Sequence, residues 1–323
     1  MWSVVGMADA EPIDAVYMWV DDSFPGYLDL LGQYAGVAQD KSANRTRDNL
    51  DTLKYSIRSL RMYAPWLRNI FIVSCAPQRP RWLAEDVAGL TVIHHDAFMD
   101  AAMLPTFNSF AIQSCLHRIP GLSKRFLQFD DDVLLSAPVR PEDFADPSGR
   151  LRIFRRFRHT PSENVRDQDG ISRWNASLAH CNHLLNAAFG ARARPTFTHA
   201  PLLIDRQWWE EMIAFWPEDF AHTRQSRFRA KRNVVPDYLY PHFLLGTARG
   251  INTSRLETYR TTFYFALEDY VFYTWWKYAL LAALKPKTIC LNDNFGASPN
   301  PRVVAQIRRF LERRYPVKSP FEL

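Results

Sequence analysis

Three consecutive acids, Asp130, Asp131 and Asp132, close a short apolar run, Phe126-Leu127-Gln128-Phe129, and Val133-Leu134-Leu135 follows. Like carboxylates packed at the end of a buried strand repel one another and resist desolvation. A divalent cation relieves both penalties and can then hold a diphosphate. By itself the triplet is more readily read as a solvated turn between two strands. A second strand-like run, Leu291-Asn292-Asp293-Asn294, repeats the pattern of apolar strand and polar tip. Its Asn and Asp oxygens are hard ligands suited to Mg²⁺ or Mn²⁺, although Asn-Asp-Asn also makes an ordinary turn. His199 stands before Ala200-Pro201-Leu202-Leu203-Ile204-Asp205. Beside a metal-held diphosphate it would serve as general base, since an imidazole titrates near neutrality; elsewhere it would be a structural histidine. Arg229 would then neutralise charge gathering on a transferred phosphoryl group.

The elements that must position these groups are legible as apolar runs. Ile13 to Val20 reads as a buried first strand ending in Asp21-Asp22, and Leu50 to Met62 has helical periodicity through Leu50, Leu53, Ile57 and Leu60. Strands are expected at Asn69 to Val73, Leu90 to His94 and Arg125 to Phe129, with a helix from Thr106 to Ile119 closed by Pro120-Gly121. This alternation predicts an α/β fold, Rossmann-like or GT-A-like, with a mostly parallel sheet flanked by helices. Ligands gather at the carboxyl ends of such strands, so Asp21-Asp22 and the Asp triplet are expected to face one crevice. One catalytic domain over 1–323 is expected, with 156–195 as a variable loop and helical insertion. That insertion carries a helix near Trp174 to Phe189. Further helices are expected from Ile204 to Phe215, after Pro217, and from Arg302 to Arg314, with a late strand from Lys287 to Leu291.

At 323 residues with 47% hydrophobic and 14% aromatic content, the chain can bury a sizeable core. The four cysteines are far apart and form no CxxC pair, which suits packing in a reducing compartment and neither a disulfide frame nor a zinc site. The first residues lack a basic segment and a long apolar stretch, so no secretory signal is read there. The apolar stretch from Phe263 to Leu284 is interrupted by Glu268, Asp269 and Lys277, too often to span a bilayer. A core helix is expected there, with a helix lying on a membrane surface as the other reading. A cytoplasmic location follows, with the inner membrane face left open. The net charge is +6, and two arginine clusters stand out, around Arg150 to Arg158 and around Arg224 to Arg232. Arginine forks match phosphate oxygens. No nucleic-acid module is recognisable, and no nucleic-acid partner is expected.

Taken in order, the motifs resemble the Stealth family of hexose-1-phosphate transferases. That family includes bacterial capsule-building enzymes and the animal lysosomal-enzyme N-acetylglucosamine-1-phosphotransferase. Its first region resembles Ile13 to Asp21. Its second resembles Arg47-Asp48-Asn49, Tyr55 to Ser59, Ala64-Pro65-Trp66, Ile70 to Val73, Leu104 to Ser109, His117 to Ser123, Asp131-Asp132-Val133 and Pro141 to Phe144. Its third resembles His199 to Arg206 and Pro217 to Phe220 with Arg229 downstream, and its fourth Cys290 to Asn294. Pro316, Phe321 and Glu322 fit its closing segment. Departures are Asp130 where the family usually has Asn, Asp22 where it has Gly, and Lys54 where it has Arg.

The resemblance implies transfer of a sugar-1-phosphate from a UDP-sugar, with a UDP-N-acetylhexosamine as one candidate, to a hydroxyl of a glycan or polysaccharide acceptor. UMP leaves and a phosphodiester forms. Together with the residue chemistry, it assigns Asp131, Asp132, Asp293 and Asn294 to a cation, Mg²⁺ or Mn²⁺. His199, Arg229 and Asp131 are assigned to catalysis, and Asp14, Trp19, Asp21, Asn108 and Arg118 to the nucleotide sugar. Two rival readings stand beside it. One is a metal-dependent GT-A-type glycosyltransferase that releases UDP; the other is a non-enzymatic binder of anionic ligands.

Overall fold

The computed structural model describes residues 11–36, 48, 50–295 and 298–323. Arg47 and Asn49 of the expected second region, and the N-terminal segment read for a signal, lie outside the described residues.

The chain begins with β1 (Ile13–Met18), α1 (Tyr27–Tyr34), α2 (Thr52–Tyr63), β2 (Ile70–Ser74), β3 (Leu90–His94), α3 (Ser109–Cys115) and β4 (Arg125–Asp130). It continues through β5 (Val133–Leu135), β6 (Leu151–Ile153), β7 (Arg155–His159), α4 (Arg173–Phe189), β8 (Pro195–Phe197) and β9 (Leu202–Asp205). Then come α5 (Arg206–Phe215), α6 (Pro217–Gln225), α7 (Pro236–Gly246), β10 (Gly250–Asn252) and α8 (Arg255–Thr261). The chain closes with β11 (Thr262–Leu267), α9 (Val271–Leu284), β12 (Thr288–Asp293) and α10 (Pro301–Arg314).

The central sheet has the order β3-β2-β1-β4-β9. Its first four strands are parallel and β9 runs antiparallel to β4, so the sheet is mostly parallel, as expected. Strands covered on both faces must be apolar throughout, and Ala15, Val16, Ile72, Phe126, Leu127 and Phe129 are buried. The register sets Met18 beside both Val73 and Asp130, which brings the carboxyl ends of β1, β2 and β4 to one edge. A second, three-stranded sheet, β11-β12-β5, grows from the turn after β4. There Cys290 pairs with Val133, and the Leu291 amide donates to the Asp132 carbonyl at 2.8 Å. The Asp triplet is therefore the hinge between the two sheets.

α4 of the expected insertion is not a separate body, because Leu178, Cys181 and Leu185 join the main core. Two expectations need correction. The helix read from Ile204 starts at Arg206, and Leu202–Asp205 is the edge strand β9. Asp205 ends that strand and accepts from the Gln207 and Trp208 amides as N-cap, so strand and helix share one residue. The stretch from Phe263 is likewise no single core helix. β11 carries its first residues inward, and α9 leaves Phe272, Trp275 and Trp276 exposed.

Candidate active site

Asp130 ends β4, and Asp131 and Asp132 form the turn into β5. His199 lies in the short link from β8 to β9, the antiparallel neighbour of β4, so strand pairing places its ring beside the triplet. Its Nδ1 is 3.5 Å from Asp130 Oδ2. Burial depresses the imidazole pKa, but the hydrogen bond and charge of Asp130, with Asp132 and Asp237 behind it, outweigh burial and leave His199 raised. When neutral, the ring keeps its proton on Nδ1 facing Asp130 and leaves Nε2 as the basic nitrogen.

The neighbouring carboxylates are held far from their ordinary state. Burial pushes Asp131 well above the usual carboxylate range, and Asp132, Asp48 and Asp130 add to it. Burial and Asp130 raise Asp132 as well, against His199, Cys290 and Asn292. Asn292 Nδ2 and Cys290 Sγ each lie 3.4 Å from Asp132 Oδ2, while Asp132 Oδ1 is buried with no hydrogen-bond partner. Tyr264 on β11 donates to Asn292 Oδ1 at 2.9 Å, and its ring lies 5.4 Å from the His199 ring. The Arg156 guanidinium sits 4.8 Å from the Tyr264 ring centre, a cation–π contact that draws the first arginine cluster to the site.

His199 and Asp130 line a cavity of about 550 Å³ with Asp237, Arg152, Arg156, Arg158, His159 and Trp174. Asp237 sits in the first turn of α7, behind Pro236. Burial and the Asp130 charge push it up to about 6, opposed by His199 and Arg229, and its Oδ1 is buried without a partner. Arg229 is held by Ser109 Oγ, 2.7 Å from its Nη2, and lies over the rings of Phe110 and Trp174 at 4.6 and 5.6 Å.

On the β1 side of the triplet, Trp19 Nε1 donates to Asp48 Oδ2 at 3.3 Å. Burial raises Asp48 to about 6, with Asp51 and Asp21 adding to it and the Thr52 amide opposing. Asp21 holds Ser23 through its amide and hydroxyl at 2.9 and 2.8 Å, and its backbone is clamped by Gln78. Trp19 and Asp21 therefore stand at the same sheet edge as Asp131, joined through Asp48.

Other expected residues lie elsewhere or are occupied. Asp14 is buried toward the amino end of β1, paired to Arg68 at 2.6 Å and accepting the Ser123 and Asn69 amides. Asn108 caps α3 through the Phe110 amide and gives its Nδ2 to Ser226, Asn233 and Thr223. Arg118 contacts Asp100 at 3.3 Å in a separate shallow depression shared with Arg224. Asp293 ends β12, but its carboxylate is exposed and accepts the Phe295 amide at 2.8 Å. The Asn294 side chain is also exposed, and its amide bonds the Leu267 carbonyl. Side chains alternate along a strand, so Asn292, not Asp293, reaches Asp132. Among the described residues no three His, Cys, Asp or Glu side chains are gathered as metal ligands. The orphaned Asp132 oxygen and the mutually repelling acids nevertheless fit a bound cation.

Sequence reasoning passed over Asp130 as the imidazole's partner, and over Asp48, Asp237, Asn292, Tyr264 and Arg156. Pro236-Asp237 is a helix-start signal and could have marked Asp237. The others depend on contacts between distant segments.

An acid-and-imidazole crevice at the carboxyl edge of a mostly parallel α/β sheet, opening into an arginine-lined cavity, defines the class of site. Models of the Stealth protein conserved regions 2, 3 and 4 match residues 45–153, 198–246 and 279–323. The chain belongs to the Stealth family. Among curated relatives, exopolysaccharide phosphotransferase SCO6023 of Streptomyces coelicolor is 35% identical, over 96% of this chain and 52% of that protein. Exopolysaccharide phosphotransferase CpsY of Mycobacterium tuberculosis is 32% identical, over 96% of this chain and 58% of its own length. The chain thus spans between half and three-fifths of these two relatives. Among solved structures, the galactosyltransferase LgtC with donor and acceptor sugar analogues is 12% identical at TM-score 0.45, covering 95% of this chain and 96% of its own. Apo mouse xyloside xylosyltransferase 1 is 13% identical at TM-score 0.40, over 87% and 98%. Both are too distant to carry an inference.

Proposed function

We propose that this chain transfers a sugar-1-phosphate from a UDP-sugar to a hydroxyl of a glycan acceptor in capsular or exopolysaccharide synthesis. The observation that carries the reading is the His199–Asp130 pair set at the edge of the 550 Å³ cavity, beside the acidic turn of β4. The relatives named exopolysaccharide phosphotransferases support the same chemistry.

In this reading His199 Nε2 takes the proton of the acceptor hydroxyl while Asp130 fixes the ring from Nδ1. The acceptor oxygen bonds to the β-phosphorus, and the bond from that phosphorus to the bridging oxygen of UMP breaks. The anomeric C–O bond stays intact. Arg229, with Arg156 from the cavity wall, offsets charge on the phosphoryl oxygens. Trp19 and Asp21, with Asp48, shape the nucleotide end. Asp131 and Asp132 would hold Mg²⁺ or Mn²⁺, with Asn292 closer at hand than Asp293 or Asn294. When bound, the ion supplies positive charge at the diphosphate. The structure gives Asp14 and Asn108 structural contacts, and neither is retained as a donor ligand in this proposal.

Product analysis tests the reading. With a UDP-sugar, a glycan acceptor and metal, UMP should appear together with a phosphodiester ³¹P resonance. UDP as the nucleotide product would replace phosphotransfer with glycosyl transfer.

A further inference from the structure

α9 turns an apolar face outward. Phe272, Trp275, Trp276, Ala279, Ala282 and Ala283 are all exposed, at helical spacing, whereas Thr274 and Leu281 face inward. The exposures are large: 77% for Phe272, 58% for Trp275 and 57% for Trp276. Tyr270, immediately before the helix, is 69% exposed. Scattered apolar residues on a surface need no explanation, but a contiguous aromatic stripe on one helix does. The helix is 14 residues long, about 21 Å at 1.5 Å per residue, and among the described residues none is long and apolar enough to cross a membrane.

Charge identifies the occupant. Residues 255–318 hold eleven Lys and Arg against five Asp and Glu, an excess equal to the net charge of the whole chain, +6. α10 packs on α9 through stacked rings of Tyr278 and Phe310, 4.5 Å apart, and carries exposed Arg302, Arg309 and Arg313. Lys285 is exposed at the end of α9. Trp and Tyr beside Lys and Arg is the composition that settles at a bilayer interface, rings at headgroup level and cations on anionic lipid.

We infer that the α9 face, with the basic residues of α10, docks on an anionic lipid bilayer surface and lies in its plane. α9 connects the two strands that complete the catalytic crevice, β11 with Tyr264 and β12 with Asn292. Docking would therefore hold the acidic turn at the membrane, where a lipid-linked glycan would present its hydroxyl. The binding claim stands apart from the proposed chemistry.

The test is co-sedimentation of the chain with phosphatidylcholine vesicles, with and without phosphatidylglycerol. The variants are the triple Phe272→Ser/Trp275→Ser/Trp276→Ser and the pair Arg309→Gln/Arg313→Gln, all at exposed positions. The wild type should bind the anionic vesicles and largely ignore the neutral ones. The triple variant should bind at least about tenfold more weakly, with an unchanged circular dichroism spectrum. The charge variant should weaken binding and flatten its salt dependence. Equal binding by wild type and triple variant would overturn the inference. So would no vesicle binding by a wild type that sediments as a dimer and becomes monomeric in the triple variant, because the face would then belong to a second copy. Turnover plays no part in this readout, so a failure here leaves the catalytic reading untouched.

Discussion

Asp130 can be tested as both an electrostatic and a positioning partner of His199. Across 3.5 Å the Coulomb attraction is about 1 kcal/mol in water and about 5 kcal/mol at an effective dielectric near 20. The two side chains are 35% and 38% exposed, so screening favours the lower end of that range. Asp130→Asn keeps an oxygen to accept from Nδ1–H and removes the charge. Asn is also the residue that the family resemblance expects there. This variant should retain activity within about threefold on the high-pH plateau, where His199 is neutral in both proteins; that margin is well inside the roughly 10²-fold worth of a general base. Its acid limb should move to lower pH, because His199 loses the Asp130 charge that held its proton. Asp130→Ala loses the acceptor too and should cost about 10²-fold in kcat/KM. The assays are a His199 ring-proton NMR titration of metal-free protein and a pH profile of kcat/KM. The reasoning fails if the imidazole titrates at the same pH in all three proteins, or if Asp130→Ala is as active as wild type.

Three further predictions concern Asp237, Asp14 and the acidic turn. Burial and Asp130 raise Asp237 to about 6, so its proton stabilises the fold at low pH and that contribution is lost as pH rises through about 6. Asp237→Asn should therefore add about 3 kcal/mol above pH 7 and little at pH 4, read as the difference in Tm between the two proteins at each pH. Asp14→Ala should destabilise the chain by about 3 kcal/mol in urea, because the Asn69 and Ser123 amides lose their acceptor. The donor KM should stay unchanged; a rise of tenfold or more would return Asp14 to the nucleotide site. EDTA and Asp131→Asn should each abolish transfer without unfolding the chain, and Mg²⁺ or Mn²⁺ should restore the chelated wild type. Full activity in chelator would remove the ion from the account.

The sequence exposed what was locally encoded. β1, β2 and β4 are mostly apolar because they are covered on both faces, and the acids that follow β1 and close β4 mark the edge where the crevice forms. His199 and the triplet were recognisable by type, and antiparallel pairing of β9 with β4 joins them. What stayed hidden depended on orientation and long-range pairing. Asn292 and Asp293 are indistinguishable as a dipeptide, and only the strand's two-residue period turns the first toward Asp132. The family resemblance assigns Asp14 to the nucleotide sugar, but Arg68 and two backbone amides claim its carboxylate. α9 carries large apolar residues around most of its circumference, broken by Thr274 and Lys277, so periodicity could not say which face the core would take. Arg58 and Glu322 fell in separate motifs 264 residues apart and meet as an ion pair, Nε to Oε1 at 2.8 Å, fastening the C-terminus to α2.

The central claim is that the P–O bond on the UMP side breaks while the sugar keeps its own phosphate. A UDP-sugar carrying ¹⁸O in the bridge between the anomeric carbon and the β-phosphorus tests it directly. The account predicts that the label stays with the glycan as a phosphodiester, and that the released nucleotide is unlabelled UMP. Labelled UDP, with no phosphorus on the glycan, would contradict it.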